Sequence, residues 1–438
     1  MELLQSILYA TWDVIKNWWW LFLPFILWRP FKFMWLWWRM EYCMFKQKKI
    51  LLEIRMPKEV LKPLRSMEQV FSAIWGNVYD PPDWWEKWWD GKQYDSIQLE
   101  MVSLEGKPHL YLRCSEGRRN AIESSIYSQY PDAEIEVVDD YTKYVPQDSP
   151  NKDWELWGTD YELLKNEVYP IKVYSKFFEE KPETAKEEKR VDPMSTLLEG
   201  MGKMGPGEQL WIQISAAPSV SSKKEPAGDF VKKGQEIRDK LAKRPEKAKP
   251  KTIFREAVEE LALGKMPGAG EDKEEKDLMK ALVPPEMRLT PGEKEIVEGI
   301  ETKISKRCFS CYIRFIYIAK RDVYFGGAKS IPFGFFNQFA TENLNGLKPW
   351  PRTITKIHRY PVLDLLRARR VFMKKRRLFF RYIKRFSPIF PKEGGTFILN
   401  IEELATIFHF PGRTAAAAPF VSRVESKKGE APPGLPME

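Results

Sequence analysis

Ten cations and no acid lie between Arg367 and Arg385 of this 438-residue chain, whose formal net charge is +10. One segment therefore carries the whole excess, and its chemistry is anion binding. The residues expected to make the contact are Arg369, Arg370, Lys374, Lys375, Arg376, Arg377, Arg381, Lys384 and Arg385, interleaved with Phe372, Phe379, Phe380, Tyr382 and Phe386. Nucleic-acid phosphates, through counterion release, and anionic lipid headgroups, at about 1 kcal/mol per cation, both suit such a helix. An acidic protein surface suits it too, and a helix with no such role is the remaining reading.

Residues that could do catalysis are sparse. Cys308-Phe309-Ser310-Cys311 has the spacing of a zinc knuckle or a redox pair, but no second CxxC supplies further ligands. On an alternating strand an offset of three points the two thiols to opposite faces. Gly326-Gly327-Ala328-Lys329-Ser330 keeps only the end of a phosphate loop and lacks the upstream glycine at the required spacing. The glycines from Gly200 to Gly207 read as a helix-to-strand turn. His109, His358 and His409 stand alone, without ligand spacing. The expectation is a chain with no catalytic residue, no metal and no cofactor, and so not an enzyme.

The elements that position these residues begin at Lys49. Ile50–Met56 predicts a strand, and the apolar spacing from Val60 to Ile74 predicts a helix over 58–75. Strands at 94–104 and 109–114 follow, joined by the turn Glu105-Gly106-Lys107-Pro108. A helix over 118–130 and a strand at 134–138 close the series. The order β-α-β-β-α-β is the ferredoxin-like split βαβ arrangement. A second, possibly ferredoxin-like, α+β module is predicted from strands at 169–178, 208–215 and 307–319 and helices at 194–204, 291–305 and 333–343. Residues 219–288, rich in Lys, Glu, Pro, Ala and Gly, read as a flexible insertion with helical stretches at 230–241 and 252–263. The expected divisions are 1–48 anchor, 49–146 ferredoxin-like domain, 147–350 second domain, 351–412 basic helix and closing elements, and 413–438 disordered tail or linker.

The anchor is expected from Trp18, Trp19, Trp20, Leu21, Phe22, Leu23, Phe25, Ile26, Leu27 and Trp28, with Trp35, Trp37 and Trp38 beyond them. The uncharged run from Asn17 to Trp28 spans about 18 Å as a helix, against a hydrocarbon core of ~30 Å. Extension back to Leu3 takes in Asp13 and Lys16, and gives a transmembrane helix with an aromatic belt at its ends, with a helix lying in the plane of the interface and a buried soluble helix as the alternatives. The cations Arg29, Lys32, Arg39, Lys46, Lys48 and Lys49 then place the remainder on the cytoplasmic side of an inner membrane, as a single-pass protein. Pro30 to Tyr42 reads as an amphipathic helix on the membrane surface. Four scattered cysteines fit a reducing compartment.

Leu23-Pro24-Phe25-Ile26-Leu27, Leu52-Glu53-Ile54-Arg55-Met56-Pro57-Lys58-Glu59, Met67-Glu68-Gln69-Val70-Phe71 and Gln129-Tyr130-Pro131-Asp132-Ala133-Glu134-Ile135 resemble an uncharacterised bacterial domain of the candidate-phyla (Patescibacteria-type) lineages. That domain often precedes HerA/FtsK-type ATPases similar to the coupling ATPases of type IV secretion and conjugation. Glu403–Gly412 and Glu425–Pro433 resemble the junction that leads into such an ATPase. The resemblance implies a non-enzymatic, membrane-anchored cytoplasmic module that positions a DNA-translocating ATPase supplied as a separate chain. Because the sequence stops at Glu438, where an ATPase would begin, either a stand-alone module or a truncated product is expected. A membrane-tethered nucleic-acid-binding protein without an ATPase is the alternative, and DNA, anionic lipid and a second copy of the chain are the further partners open to it.

Overall fold

A computed structural model describes residues 2–57, 62–177, 192–222, 228–242, 289–357, 366–389, 395–411 and 423–424. The chain opens with helix α1, Glu2–Lys46. Strand β1 (Lys49–Pro57), helix α2 (Arg65–Val78), strands β2 (Ile97–Leu104) and β3 (Lys107–Ser115), helix α3 (Arg119–Tyr127) and strand β4 (Glu134–Val138) follow. All these strands pair antiparallel, in the order β4-β1-β3-β2 that a ferredoxin-like βαββαβ unit makes. The β2–β3 hairpin turns on Glu105 and Gly106, both at positive φ (53° and 85°), as a two-residue turn matched to strand twist requires.

The pattern then repeats. Strand β5 (Trp154–Leu163), helix α4 (Ser195–Gly202), strand β6 (Glu208–Ser219), strand β7 (Cys308–Lys320), helix α7 (Ser330–Asn337) and strand β8 (Leu347–Pro349) give the order β6-β7-β5-β8. Helices α5 (Phe230–Leu241) and α6 (Pro291–Ser305) sit between β6 and β7. Pro291 at the first helical position and a reciprocal Thr290–Glu293 capping box fix the start of α6. Helix α8 (Arg367–Lys384), strand β9 (Phe397–Asn400), helix α9 (Ile401–Ile407) and the two-residue strand β10 (Arg423–Val424) close the chain. Strand β9 pairs with β7, and β10 lies parallel to the end of β1.

The second strands of the two halves, β2 and β6, pair antiparallel from Ile97↔Ala216 to Leu104↔Gln209. The halves are thus joined edge to edge into one α+β sheet in which β1 to β9 pair antiparallel. Separate domains over 49–146 and 147–350 are therefore replaced by one continuous sheet. Helices α2, α3, α4, α7 and α9 cover one face, burying Leu52, Leu99, Leu112, Ile212, Ile313 and Leu399. Helix α8 crosses the opposite face, where Leu378, Phe379 and Tyr382 meet Tyr111, Trp211 and Ile316.

Three further expectations are corrected. The second module starts with β5 at Trp154, not with a strand at 169–178. The proline at position 170 interrupts that segment, and its N–H groups make no strand ladder: Ile171 donates to the Glu403 side chain, Tyr174 to the Thr406 side chain and Lys172 to the Phe339 carbonyl. The insertion expected to be flexible contains the helix expected at 230–241, α5, packed so closely on α6 that a Cβ on Gly234 would strike Ile304. Its stretch at 252–263 lies outside the described residues, as does most of 413–438.

The third correction concerns the transmembrane helix. Among the described residues no helix is long and apolar enough to cross a membrane. Helix α1 runs unbroken through Pro24 and Pro30 for 45 residues, about 68 Å. Every window of spanning length in it takes in charged residues or tryptophans, whose indole N–H favours an interface over hydrocarbon. The set Trp18 to Trp28 is accordingly no transmembrane anchor, and the single-pass placement and orientation derived from it fall with it.

Candidate functional site

The two faces of α8 differ in kind. Its inner face is apolar, and its outer face carries Arg369, Arg370, Met373, Arg376, Arg377, Phe380 and Lys384, all exposed. The expected contact set therefore divides. Arg369, Arg370, Arg376, Arg377 and Lys384 stand outward. Lys374 is half-buried and donates to the Ile354 carbonyl at 3.2 Å; burial and the nearby Arg370 charge lower its pKa. Lys375 is half-buried and donates to Glu155 at 2.7 Å. Arg381 is half-buried too, with a pKa lowered by burial.

Arg385 is a correction. It caps α8 in the left-handed region (φ 54°) and turns beneath the helix, 6% exposed, so it cannot touch an external anion. Its Nε and Nη2 donate to Glu100 at 3.0 and 3.2 Å, and Nη1 and Nη2 donate to Asp140. Burial pulls the guanidinium pKa down, but the Glu100 charge and the Asp140 hydrogen bonds raise it overall. Burial pushes the Asp140 pKa up, and its Arg385 contacts and the Thr142 N–H hold it below the usual carboxylate value.

This pair belongs to a polar row that crosses the sheet under α8. Glu53, Tyr111, Glu100, Gln213, Arg314 and Asp160 are successive cross-strand partners on β1, β3, β2, β6, β7 and β5. Strand alternation puts all six on one face, and all six are buried. Tyr141 donates to Glu100 and shares a 2.8 Å hydroxyl contact with Tyr382 of α8; Gln213 also donates to Glu100, at 2.8 Å. Arg314 lies 3.0 Å from Asp160 and donates to the Phe386 carbonyl at 2.6 Å. Neither carboxylate oxygen of Asp160 has an aligned hydrogen bond, nor do Nε and Nη1 of Arg314 or Oε1 of Gln213.

Helix α1 presents the second unusual surface. Trp20, Leu27, Met34, Trp38 and Phe45 recur every four or seven residues, so they follow one side of the helix, and all are exposed. Phe25, at 77%, is the most exposed large apolar residue among the described residues. Arg29, Lys32, Arg39 and Lys46, three or seven residues apart, follow the other side. The helix is held to the body through a tryptophan turn ending in Glu86–Asp90. There Trp35 Nε1 donates to the Trp88 carbonyl at 2.9 Å, Trp28 stacks on Trp88, and Trp35 meets Trp89 edge-on. Gly91, at φ 69°, lies against the Arg39 backbone where no side chain would fit. At the other end of α1, Lys384 of α8 lies 5.6 Å from the Phe45 ring centroid, so the aromatic helix and the basic helix adjoin.

The remaining sequence candidates are structural. Cys308 and Cys311 lie on opposite faces of β7; burial pushes the Cys308 thiol up to about 12 and the Cys311 thiol well above its ordinary value. His109 packs against Glu53 at 2.6 Å, and His409 bridges Asp192 (2.9 Å) and the Ala405 carbonyl (3.0 Å) behind α9. His358 lies outside the described residues. Gly326–Ser330 forms the turn into α7, and Gly200–Gly207 the turn from α4 into β6. The polar row and the α1–α8 contact were not found from sequence; the alternation of Glu53, Glu100 and Gln213 with apolar neighbours was the available signal. No family model matches the chain, and no curated protein matches it.

Proposed function

We propose that the chain is a non-enzymatic docking module that lies on an anionic lipid surface without crossing it. The observation that carries this reading is the exposed stripe Trp20–Leu27–Met34–Trp38–Phe45, adjoining the uncompensated cations of α8. Contiguous exposed apolar surface of this extent calls for a covering partner. Tryptophan and phenylalanine suit the headgroup boundary, where an in-plane helix sinks about 5–10 Å. Arg369, Arg370, Arg376 and Arg377 supply the charge that an anionic leaflet attracts, at about 1 kcal/mol each near the surface. A nucleic acid would engage the cations but leave the apolar stripe in water, which favours lipid over the nucleic-acid alternative.

Co-sedimentation with phosphatidylglycerol/phosphatidylcholine vesicles tests the reading. Binding should fall with added salt and on pure phosphatidylcholine, and tryptophan emission should shift to the blue. A chain that stays in the supernatant with anionic vesicles, or that binds duplex DNA instead with a steep salt dependence, overturns it. The cargo we propose for the module is a separate DNA-translocating ATPase, supported only by the sequence phrases given above. Affinity purification of the full chain from its native cell tests that part, and a preparation containing no ATPase counts against it.

A further inference from the structure

On the outer face of α8 stands Met373, 48% exposed. The positions nearest to it on the helix surface, three and four residues away in each direction, are Arg369, Arg370, Arg376 and Arg377. All four are exposed, and none has an acidic partner among the described residues. Exposed Phe380 follows Met373 by seven residues on the same line, beside Arg376, Arg377 and Lys384, and Lys384 leads on to Phe45 of the α1 stripe. The crowding of like charge is felt within the helix. Lys374 is pushed down by burial and by Arg370; Arg381 is pushed down by burial and, against the opposing Asp160 charge, by Arg314 and Arg377.

Residue type is sorted as well. The positions round Met373 that face outward are all arginine, whereas Lys374 and Lys375 turn to the Ile354 carbonyl and to Glu155. Arginine presents a planar fork that grips phosphate oxygens in pairs, and lysine only a point charge. We propose that Met373 and its four arginines form a lipid-phosphate site, with Arg369 and Arg376 on one side and Arg370 and Arg377 on the other gripping headgroup phosphates through paired guanidinium hydrogen bonds, while Met373 reaches the acyl boundary between them. This rests on the membrane reading above and sharpens it: the contact selects phosphate geometry, where a diffuse basic face would respond to charge alone.

Co-sedimentation of the full chain with phosphatidylglycerol/phosphatidylcholine vesicles tests the site through a fourfold variant, R369K/R370K/R376K/R377K, that keeps the net charge. It should bind about tenfold more weakly than the native chain, as loss of a charge-assisted hydrogen bond implies. The dependence on salt should stay the same, because the number of charges does. Met373→Gln should weaken binding about fivefold, as withholding an apolar side chain from the boundary implies. These side chains are exposed, so the melting temperature should not move; if the fourfold variant fails to fold, Arg376→Lys with Arg377→Lys reads the same contrast, at about threefold. Native affinity in a folded lysine variant overturns the proposal, and so does native affinity in Met373→Gln. Either result leaves the native chain on the vesicles and the membrane reading intact. A native chain that stays in the supernatant overturns the membrane reading and the site together, so the two failures are told apart.

Discussion

On one face of the sheet, five helices close over Leu99, Ile212, Ile313 and their neighbours; on the other, α8 closes over Glu100, Arg314, Asp160 and Arg385. The first face is held by apolar burial, which is non-directional and tolerates many sequences. The second adds to its own apolar cluster a row of buried charges, which contribute little net stability but penalise any arrangement that leaves one unpaired. Its effect is therefore positional. Arg385 fits only where Glu100 and Asp140 both reach it, and this fixes the end of α8 and the direction in which its outer cations point.

Breaking that pair should have the largest effect. Arg385→Ala leaves Glu100 buried and unpaired, and should cost about 3–5 kcal/mol in urea unfolding. A loss below ~1 kcal/mol would mean that water reaches Glu100 and that α8 is loosely seated. Leu99→Ala on the other face should cost about 2–5 kcal/mol, as a cavity in a packed core does. The two variants should differ in consequence. Only Arg385→Ala should change the proteolytic sensitivity of α8 at a matched fraction folded; equal sensitivity would erase the distinction between the faces.

The acid limb of stability sharpens the same contrast. Asp140 has a folded pKa below its unfolded value of ~3.9, so its contribution is complete above that value and is lost as pH falls through the folded pKa. Asp140→Asn should flatten the stability profile below about pH 4, measured by urea midpoint against pH. An unchanged acid limb would assign it to other carboxylates. The smallest stability effect belongs to the outer face of α8. Arg376→Ala with Arg377→Ala should move stability by no more than ~0.5 kcal/mol per residue. The same pair should lower affinity for anionic vesicles by about 1 kcal/mol per charge. Loss of fold without loss of vesicle binding would reverse the roles assigned to the two sides of this helix.

Much of the element order was legible in the sequence, because local signals fix it. The two-residue alternation of Ile50–Met56 and Glu208–Ser215, and Thr290-Pro291 before Glu293, act within a few residues, whereas the helix expected to end at 75 runs on to Val78. The basic character of α8 was equally plain. Edge-to-edge joining of the halves was not, because β2 and β6 look the same whether they end a sheet or continue one. The strand assigned at 169–178 failed for a related reason: its backbone partners, Glu403 and Thr406, are more than two hundred residues away.

By itself, then, the sequence determined most of the strands and helices and where the positive charge concentrates, but not the strand Trp154–Leu163. Only the tertiary structure decided which of those charges face outward. Arg376 and Arg385 are indistinguishable by type and lie on the same basic run, yet one is exposed and the other is enclosed with two carboxylates. The physical reason is that a buried charge is defined by partners brought from other strands and loops, here Glu100 on β2 and Asp140 after β4. The same holds for α1. Its tryptophans are legible in the sequence, but their division into those docked on Trp88 and Trp89 and those left exposed follows from the tryptophan turn some fifty residues away.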